Sequence, residues 1–190
     1  MASPPEFRYT THPSTFGRFA IIWIERPGGP EVRGIVLPVD GEPADAMGRF
    51  PDARRGGHRT IADLSRDIEA FLGGGDVAFP LSMVHLAGLG EFQQRVLKAE
   101  HAIPRGGVST YGAIATHIGS PGAARAVGRA LATNPFPIVV PCHRAIRGDG
   151  TLGGYQGGLA MKRALLEFEG VSVSSNGRVV DPRHFYTSGA

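Results

Sequence analysis

The sequence predicts an α+β chain, with a small antiparallel sheet and one helix in its first half and a mostly helical second half containing a helix-turn-helix. Three observations carry this. Phe16 to Ile24 and Val32 to Val39 are β-branched, apolar runs around Arg26-Pro27-Gly28-Gly29-Pro30, which reads as a hairpin. Ile61, Leu64, Ile68, Phe71 and Leu72 recur at helical spacing before Gly73-Gly74-Gly75, a helix stop. Beyond residue 86, further segments carry helix start and stop signals in close succession.

In chain order, residues 1–12 are rich in Pro and Thr and read as a flexible arm. Residues 13–82 form the scaffold domain, with a long polar loop from Glu42 to Arg59 and an extended connection from Asp76 to Ala87. Residues 86–170 form the second domain and 171–190 a tail. Its first helix runs from Glu91 to His101, with Phe92, Val96 and Ala99 on one face, and Pro104-Arg105-Gly106-Gly107 stops it. Ser109 suits the N-cap of a short helix through Tyr111 to Ile118, which Gly119 closes. Ser120 then caps the next helix, with Pro121 at its first position. Two short helices joined by a tight Gly-containing turn form the helix-turn-helix pattern. On the second of them Ala124, Val127, Gly128 and Leu131 fall on the buried side, while Arg125 and Arg129 share the other with Gly122 and Ala126. Such a small, basic face can approach a nucleic-acid groove closely, although two solvated arginines on an Ala-rich helix would look the same. Ile138-Val139-Val140 reads as a short buried strand. A last helix spans Leu159 to Glu169, with Ala160, Met161, Ala164, Leu165 and Phe168 as its apolar face.

Composition narrows the class. Apolar residues are 42% and charged residues 19%, the mix of a globular chain. The N-terminus has no apolar core of a signal peptide and no run long enough to span a bilayer, so a cytoplasmic protein is expected, with no membrane partner. A single cysteine excludes an internal disulfide and any cysteine-cluster zinc site. None of the seven histidines stands in an HExxH spacing, so neither metal nor cofactor is expected. Residues 1–85 carry nine Arg against eleven Asp and Glu, a balance of −2; residues 86–190 carry eleven Lys and Arg against six acids, a balance of +5. A basic second half suits a polyanion, and equally suits ordinary solubility.

A lone cysteine is most often a small buried hydrophobe. Cys142 has a different setting. His143 follows it directly as a candidate base for forming thiolate, and the thiol stands at the end of the expected strand. The Gly-rich stretch Arg147 to Gly158 beyond it is built like an active-site loop, with Tyr155 and backbone N–H groups available to a flat ligand. Its GxGxxG at Gly148, Gly150 and Gly153 lacks the βαβ context and the following acid of a dinucleotide site. Glu167 and Glu169 border opposite sides of the last helix's apolar face, so the helical wheel alone does not say which reaches His143.

Pro141-Cys142-His143-Arg144, preceded by Asn134-Pro135 and Ile138-Val139-Val140, resembles the O6-alkylguanine-DNA alkyltransferases (methylated-DNA–protein-cysteine methyltransferases). The resemblance continues through Gly90-Glu91-Phe92-Gln93, Ile103-Pro104, Ser109-Thr110-Tyr111-Gly112, Ala123 to Gly128, Gly157 to Lys162 and Leu165 to Gly170. It implies an RNase H-like N-terminal scaffold and a winged-helix-like C-terminal alkyltransferase domain. It also implies single-turnover transfer of an alkyl group from O6-alkylguanine, and from O4-alkylthymine, in flipped-out nucleotides to Cys142. By the same resemblance His143 is a base acting through a water, Glu169 orients it, and Asn134 holds the active-site turn. Arg125 fills the gap left by the flipped nucleotide and Tyr111 crowds its phosphate; Ala123, Ala124, Ala126 and Arg129 complete the DNA face. Tyr111, Ala145, Tyr155, Gln156 and Gly157 form the alkylguanine pocket. The implied partner is double-stranded DNA bound by a monomer, in the cytoplasm and on the nucleoid if bacterial. Leu97 stands where many members carry Trp, Glu91 where Thr is usual, and Gln156 where a smaller residue is common. A lesion-binding protein that flags damage for another pathway, and a Cys-His hydrolase, are the competing readings.

Overall fold

The computed structural model describes residues 5–43 and 46–187. Residues 1–4 of the expected arm, 44–45 of the expected loop and 188–190 of the expected tail lie outside them. The chain divides into two compact units, Met1–His85 with Pro135–Ile138, and Leu86–Asn134 with Val139–Ala190.

In the first unit, strands β1 (Phe7–Ser14), β2 (Gly17–Arg26) and β3 (Gly29–Val36) form an antiparallel meander. Short strands β4 (Pro38–Val39) and β5 (Glu42–Pro43) pair with each other, and a short helix α1 (Ala46–Arg49) follows. Strand β6 (Arg54–Arg55) joins β1 in parallel, giving the order β3-β2-β1-β6. Two expectations are corrected here. The arm over 1–12 is a paired strand from Phe7 onward, because Thr10, Thr11 and their neighbours find partners in β2 from Gly17 to Ile24. The loop from Glu42 to Arg59 contains β5, α1 and β6, so the sheet has a parallel edge that the arginine-rich sequence concealed. Phe19 to Ile24 in β2 are all at most 1% exposed, as expected of an interior strand covered on both faces. Helix α2 (Arg59–Leu72) starts at His58, whose ring nitrogen accepts from the Thr60 N–H, and buries Ile61, Leu64, Ile68, Phe71 and Leu72 as its periodicity predicts.

In the second unit, α3 (Glu91–Ala102) buries Val96, Leu97, Ala99 and Glu100. Strand β7 (Ser109–Thr110) pairs in parallel with β8 (Ala145–Ile146). Helices α4 (Tyr111–His117) and α5 (Ala124–Ala132) form the helix-turn-helix, joined through Gly119 and Gly122 at positive φ. Both expected caps shift. Thr110 rather than Ser109 caps α4, its hydroxyl accepting from the Ala113 N–H, because the helix starts at Tyr111 and Ser109 is fully buried one residue before the cap position. Helix α5 begins at Ala124, not after Ser120, since residues 120–123 form a turn closed by Ala123 N–H to the Ser120 carbonyl. Its buried residues are Val127, Ala130 and Leu131, so Ala130 takes the place expected of Ala124 and Gly128, which are half-buried.

The expected strand at Ile138-Val139-Val140 is buried but is not a strand. Ile138 has φ 74°, a left-handed conformation that no strand residue adopts. Helix α6 (Gly158–Phe168) is rotated from its expected face: Met161, Lys162, Leu165 and Leu166 are buried, while Phe168 is 43% exposed. The expected face leaned on Ala160 and Ala164, which carry too little apolar area to orient a helix. The tail packs within this unit. Val171 and Val179 join a core with Val108, Ile146, Leu152 and Leu166, and Tyr186 Oη donates to the Ala99 carbonyl.

Candidate active site

Cys142 lies on a 3-10 turn, Cys142–Arg144, directly before β8, rather than at a strand end. Its N–H donates to the Val140 carbonyl at 2.8 Å, and the Arg144 N–H to the Pro141 carbonyl at 2.9 Å. Asn134, fully buried at the end of α5, braces the turn by donating from Nδ2 to the Val140 carbonyl at 3.2 Å. The turn therefore faces the thiol toward α5 and the Gly-rich loop while sending His143 and Arg144 into the interior.

There the structure separates the two glutamates. Glu169 Oε1 lies 2.9 Å from His143 Nε2 and 2.8 Å from Arg144 Nη2, and Oε2 accepts from Arg144 Nε at 2.9 Å. Glu167 is exposed and pairs with Arg163. The His143 and Arg144 partners hold the Glu169 carboxyl down at about 2 against its burial, so it is an acceptor at neutral pH. Burial pushes His143 downward, favouring the neutral ring. A neutral imidazole beside a carboxylate donates from Nε2, which leaves Nδ1 as its basic nitrogen. The Cys142 thiol, 5% exposed, is pushed up to about 11 by burial, opposed by a hydrogen bond from Asn134. At rest it is a neutral thiol.

Cys142 opens on a cavity of about 350 Å3 lined by Tyr111, Gly128, Leu131, Ala132, Arg147, Gly154, Tyr155 and Gln156. The buried Tyr155 hydroxyl has no hydrogen-bond partner among the described residues. Gln156 is pinned through Nε2 to the carbonyls of Ala132 and Asn134. Gly153 has φ 69°, and a Cβ there would stand 2.7 Å from the Tyr111 hydroxyl. The close approach that the Gly-rich loop makes at this point is thus to Tyr111. Two expected pocket residues are not in the lining. Ala145 is fully buried, its carbonyl accepting from Lys162 Nζ at 2.6 Å, and a Cβ at Gly157 would collide with Met161.

Lys162 and Glu100 are the buried charges the sequence reading missed. Lys162 Nζ gathers the carbonyls of Ala145, Leu152 and Gly154, tying the loop before Tyr155 to β8. Its signal was present: it shares the α6 stripe of Met161, Leu165 and Leu166. Glu100 is fully buried, with no side-chain hydrogen-bond partner among the described residues and the Ala145 backbone acting on its carboxyl. Burial pushes it up to about 8, against the charges of Lys162 and Arg144. Such an acid is protonated in the folded state and ionised when unfolded, so its contribution is full below about pH 4.5 and is lost as pH rises toward 8. Replacing Glu100 with Met should therefore stabilise the protein by about 2–3 kcal/mol at pH 7 and by little at pH 4.5. Urea denaturation at both pH values measures this, and a less stable variant at pH 7 would refute it.

On α5, Arg125 and Arg129 are exposed and form no ion pair among the described residues, while Ala123, Ala124 and Ala126 are half-buried. No group of three or more His, Cys, Asp or Glu side chains among the described residues could hold a metal, and no helix there is long and apolar enough to cross a membrane.

A family model described as 6-O-methylguanine DNA methyltransferase, DNA binding domain, matches residues 91–171. A methylated-DNA–protein-cysteine methyltransferase of Methanothermobacter thermautotrophicus is 49% identical over 113 residues, covering 60% of this chain and 63% of that protein, so the match falls short of two thirds of its length. The protein of the same name from Methanosarcina acetivorans is 45% identical over 121 residues, 63% of this chain and 76% of that one. Among solved structures, Mycobacterium tuberculosis O6-methylguanine methyltransferase matches with TM-score 0.70 and 36% identity, over 86% of this chain and 92% of that one. The same organism's OGT in complex with DNA matches with TM-score 0.68 and 34% identity, over 85% and 92%.

Proposed function

This chain belongs to the methylated-DNA–protein-cysteine methyltransferase family, and we propose that it repairs double-stranded DNA by moving the alkyl group of O6-alkylguanine onto Cys142. The observation that carries this reading is a nucleophile and an unsatisfied buried donor in one cavity: Cys142 and the Tyr155 hydroxyl. A guanine oxygen is the partner that donor lacks.

In this mechanism the Cys142 proton passes through a water to His143 Nδ1, while Glu169 stabilises the imidazolium. The thiolate attacks the alkyl carbon, a C–S bond forms, the C–O6 bond breaks, and its electron pair leaves with guanine. Tyr155 and the Gln156 N–H stabilise the departing oxygen, and the proton held on His143 returns to the released base. A thioether remains on Cys142, and none of the surrounding groups can hydrolyse it. Each molecule acts once, without a cofactor. The high resting thiol pKa then has a use, since a neutral thiol survives until a substrate arrives.

Extrahelical presentation is needed because the reacting atom is unreachable in the stack. Arg125 would occupy the vacated position, with Tyr111 at the phosphate and Ala123, Ala124, Ala126 and Arg129 along the groove. We read the three antiparallel strands with a parallel fourth beside β1 as an RNase H-like scaffold, and α4–α5 as part of a winged-helix-like domain. O4-alkylthymine is a second substrate on this reading, and the protein works as a monomer in the cytoplasm.

Incubation with duplex DNA carrying labelled O6-methylguanine tests the reading. Label should reach one equivalent per chain and stop. Tight binding without label would favour a lesion-flagging protein, and repeated turnover without stable label a hydrolase. Flipping makes a separate prediction. Arg125→Ala should slow transfer from duplex DNA by about tenfold or more, the equivalent of at least about 1.4 kcal/mol, and slow reaction with free O6-benzylguanine much less. Equal losses would remove Arg125 from flipping.

A further inference from the structure

We propose that Arg147 is an anion-binding subsite in the wall of the Cys142 cavity and a specificity-determining residue for the ligand held there. The inference rests on the alkyl transfer proposed above and deepens it. Arg147 is the charged member of the cavity lining, beside Tyr111, Cys142 and Tyr155. Its position is fixed by a turn directly after β8: its N–H donates to the Thr151 carbonyl at 2.9 Å, and its carbonyl accepts from the Gly150 N–H at 3.0 Å.

The nearby acid, Asp149, attracts it through space but forms no ion pair or hydrogen bond with it among the described residues. Asp149 instead accepts from the Thr151 N–H at 3.0 Å and from Thr151 Oγ1 at 2.7 Å, closing the turn on itself. The Arg147 guanidinium forms no hydrogen bond or ion pair among the described residues. Its field nevertheless acts inward, on Tyr111 and on buried Lys162. A planar cation with five donors, unpaired on a wall whose other groups are neutral, selects for an anionic oxygen. A flipped O6-alkylguanine nucleotide can offer one from two sources. One is a carboxylate carried by the alkyl group itself, and the other is the flanking phosphate.

Single-turnover transfer separates them. The substrates are O6-carboxymethylguanine and its neutral isostere O6-carbamoylmethylguanine, each in a duplex and as the free nucleobase, with wild type, Arg147→Gln and Arg147→Lys. A carboxylate subsite gives a preference for the carboxymethyl group of about fivefold in both settings, abolished by Gln and partly kept by Lys. A phosphate subsite gives no such preference, and Gln slows both duplex substrates while sparing both free bases. Rates that Arg147→Gln leaves unchanged, or lowers equally for all four substrates, would overturn the proposal. Wild-type transfer from duplex O6-methylguanine is run alongside. Its absence would remove alkyl transfer and the subsite together; its presence beside indifferent Arg147 variants would remove the subsite alone.

Discussion

Cys142→Ser is expected to reduce label on the protein from one equivalent to background while leaving the fold and DNA binding in place. Serine is nearly isosteric with cysteine, and the site is 5% exposed, so the packing change is small. The chemistry does not survive the exchange. An alcohol is far more weakly acidic than a thiol, and a single neutral histidine cannot generate alkoxide at a useful rate. The expected loss is on the order of a thousandfold or more. Affinity for an O6-methylguanine duplex should stay within about threefold, because the groove contacts assigned to α5 are untouched. Mass spectrometry of the incubated protein and a binding titration read the two quantities separately. Label retained on the serine variant would show that another side chain accepts the alkyl group.

Glu169→Gln should do damage in two currencies, stability and rate. The carboxylate compensates Arg144, whose side chain is only 10% exposed, through two hydrogen bonds. Without it Arg144 keeps its bond to the Ile103 carbonyl but no counter-charge. Leaving a buried charge unpaired costs about 3–5 kcal/mol. The acid dependence should change with it. The Glu169 carboxyl is held at about 2, below its ordinary value, so it contributes stability that is fully present above about pH 4.5 and is lost as pH falls toward 2. Buried His143 acts in the same direction, since a group that resists protonation when folded costs stability as pH falls below 6.5. The glutamine variant should lack the Glu169 part of this acid transition. Where it remains folded, alkyl transfer should slow by roughly a hundredfold, because Nε2 loses its anionic partner and the imidazolium its stabiliser. Glu167→Gln removes an exposed pair with Arg163 and should change stability by less than about 1 kcal/mol. If Glu167→Gln were the slower variant, the wrong carboxylate would have been assigned.

Much of the site was legible because its determinants are local. Cys142, His143 and Arg144 are adjacent, and the β2–β3 hairpin and α2 follow from apolar periodicity and turn residues that act over a few positions. Other assignments failed where long-range pairing overrode a local signal. Phe7 to His12 resemble an arm until β2 supplies hydrogen-bond partners, while the cap of α4 falls one residue later than expected, on Thr110. The strand expected at Ile138 to Val140 failed because buried apolar residues do not specify backbone conformation, and Ile138 has the left-handed one.

By itself, the sequence determined that the single cysteine is followed directly by a histidine, and that a basic, small-faced helix lies nearby in the chain. Only the tertiary structure decided which acid reaches His143. Glu167 and Glu169 are two residues apart on opposite borders of a helical face whose rotation the sequence left open. That rotation depends on which of Met161, Lys162, Leu165 and Leu166 find partners in the interior, a property of packing rather than of spacing. The same packing made Lys162 a buried clamp, left the Tyr155 hydroxyl without a hydrogen-bond partner among the described residues, and placed Arg147 on the wall beside Cys142. These features arise from residues distant in sequence competing for one low-dielectric interior, where a charge must find a partner, lose its proton or wait for a ligand.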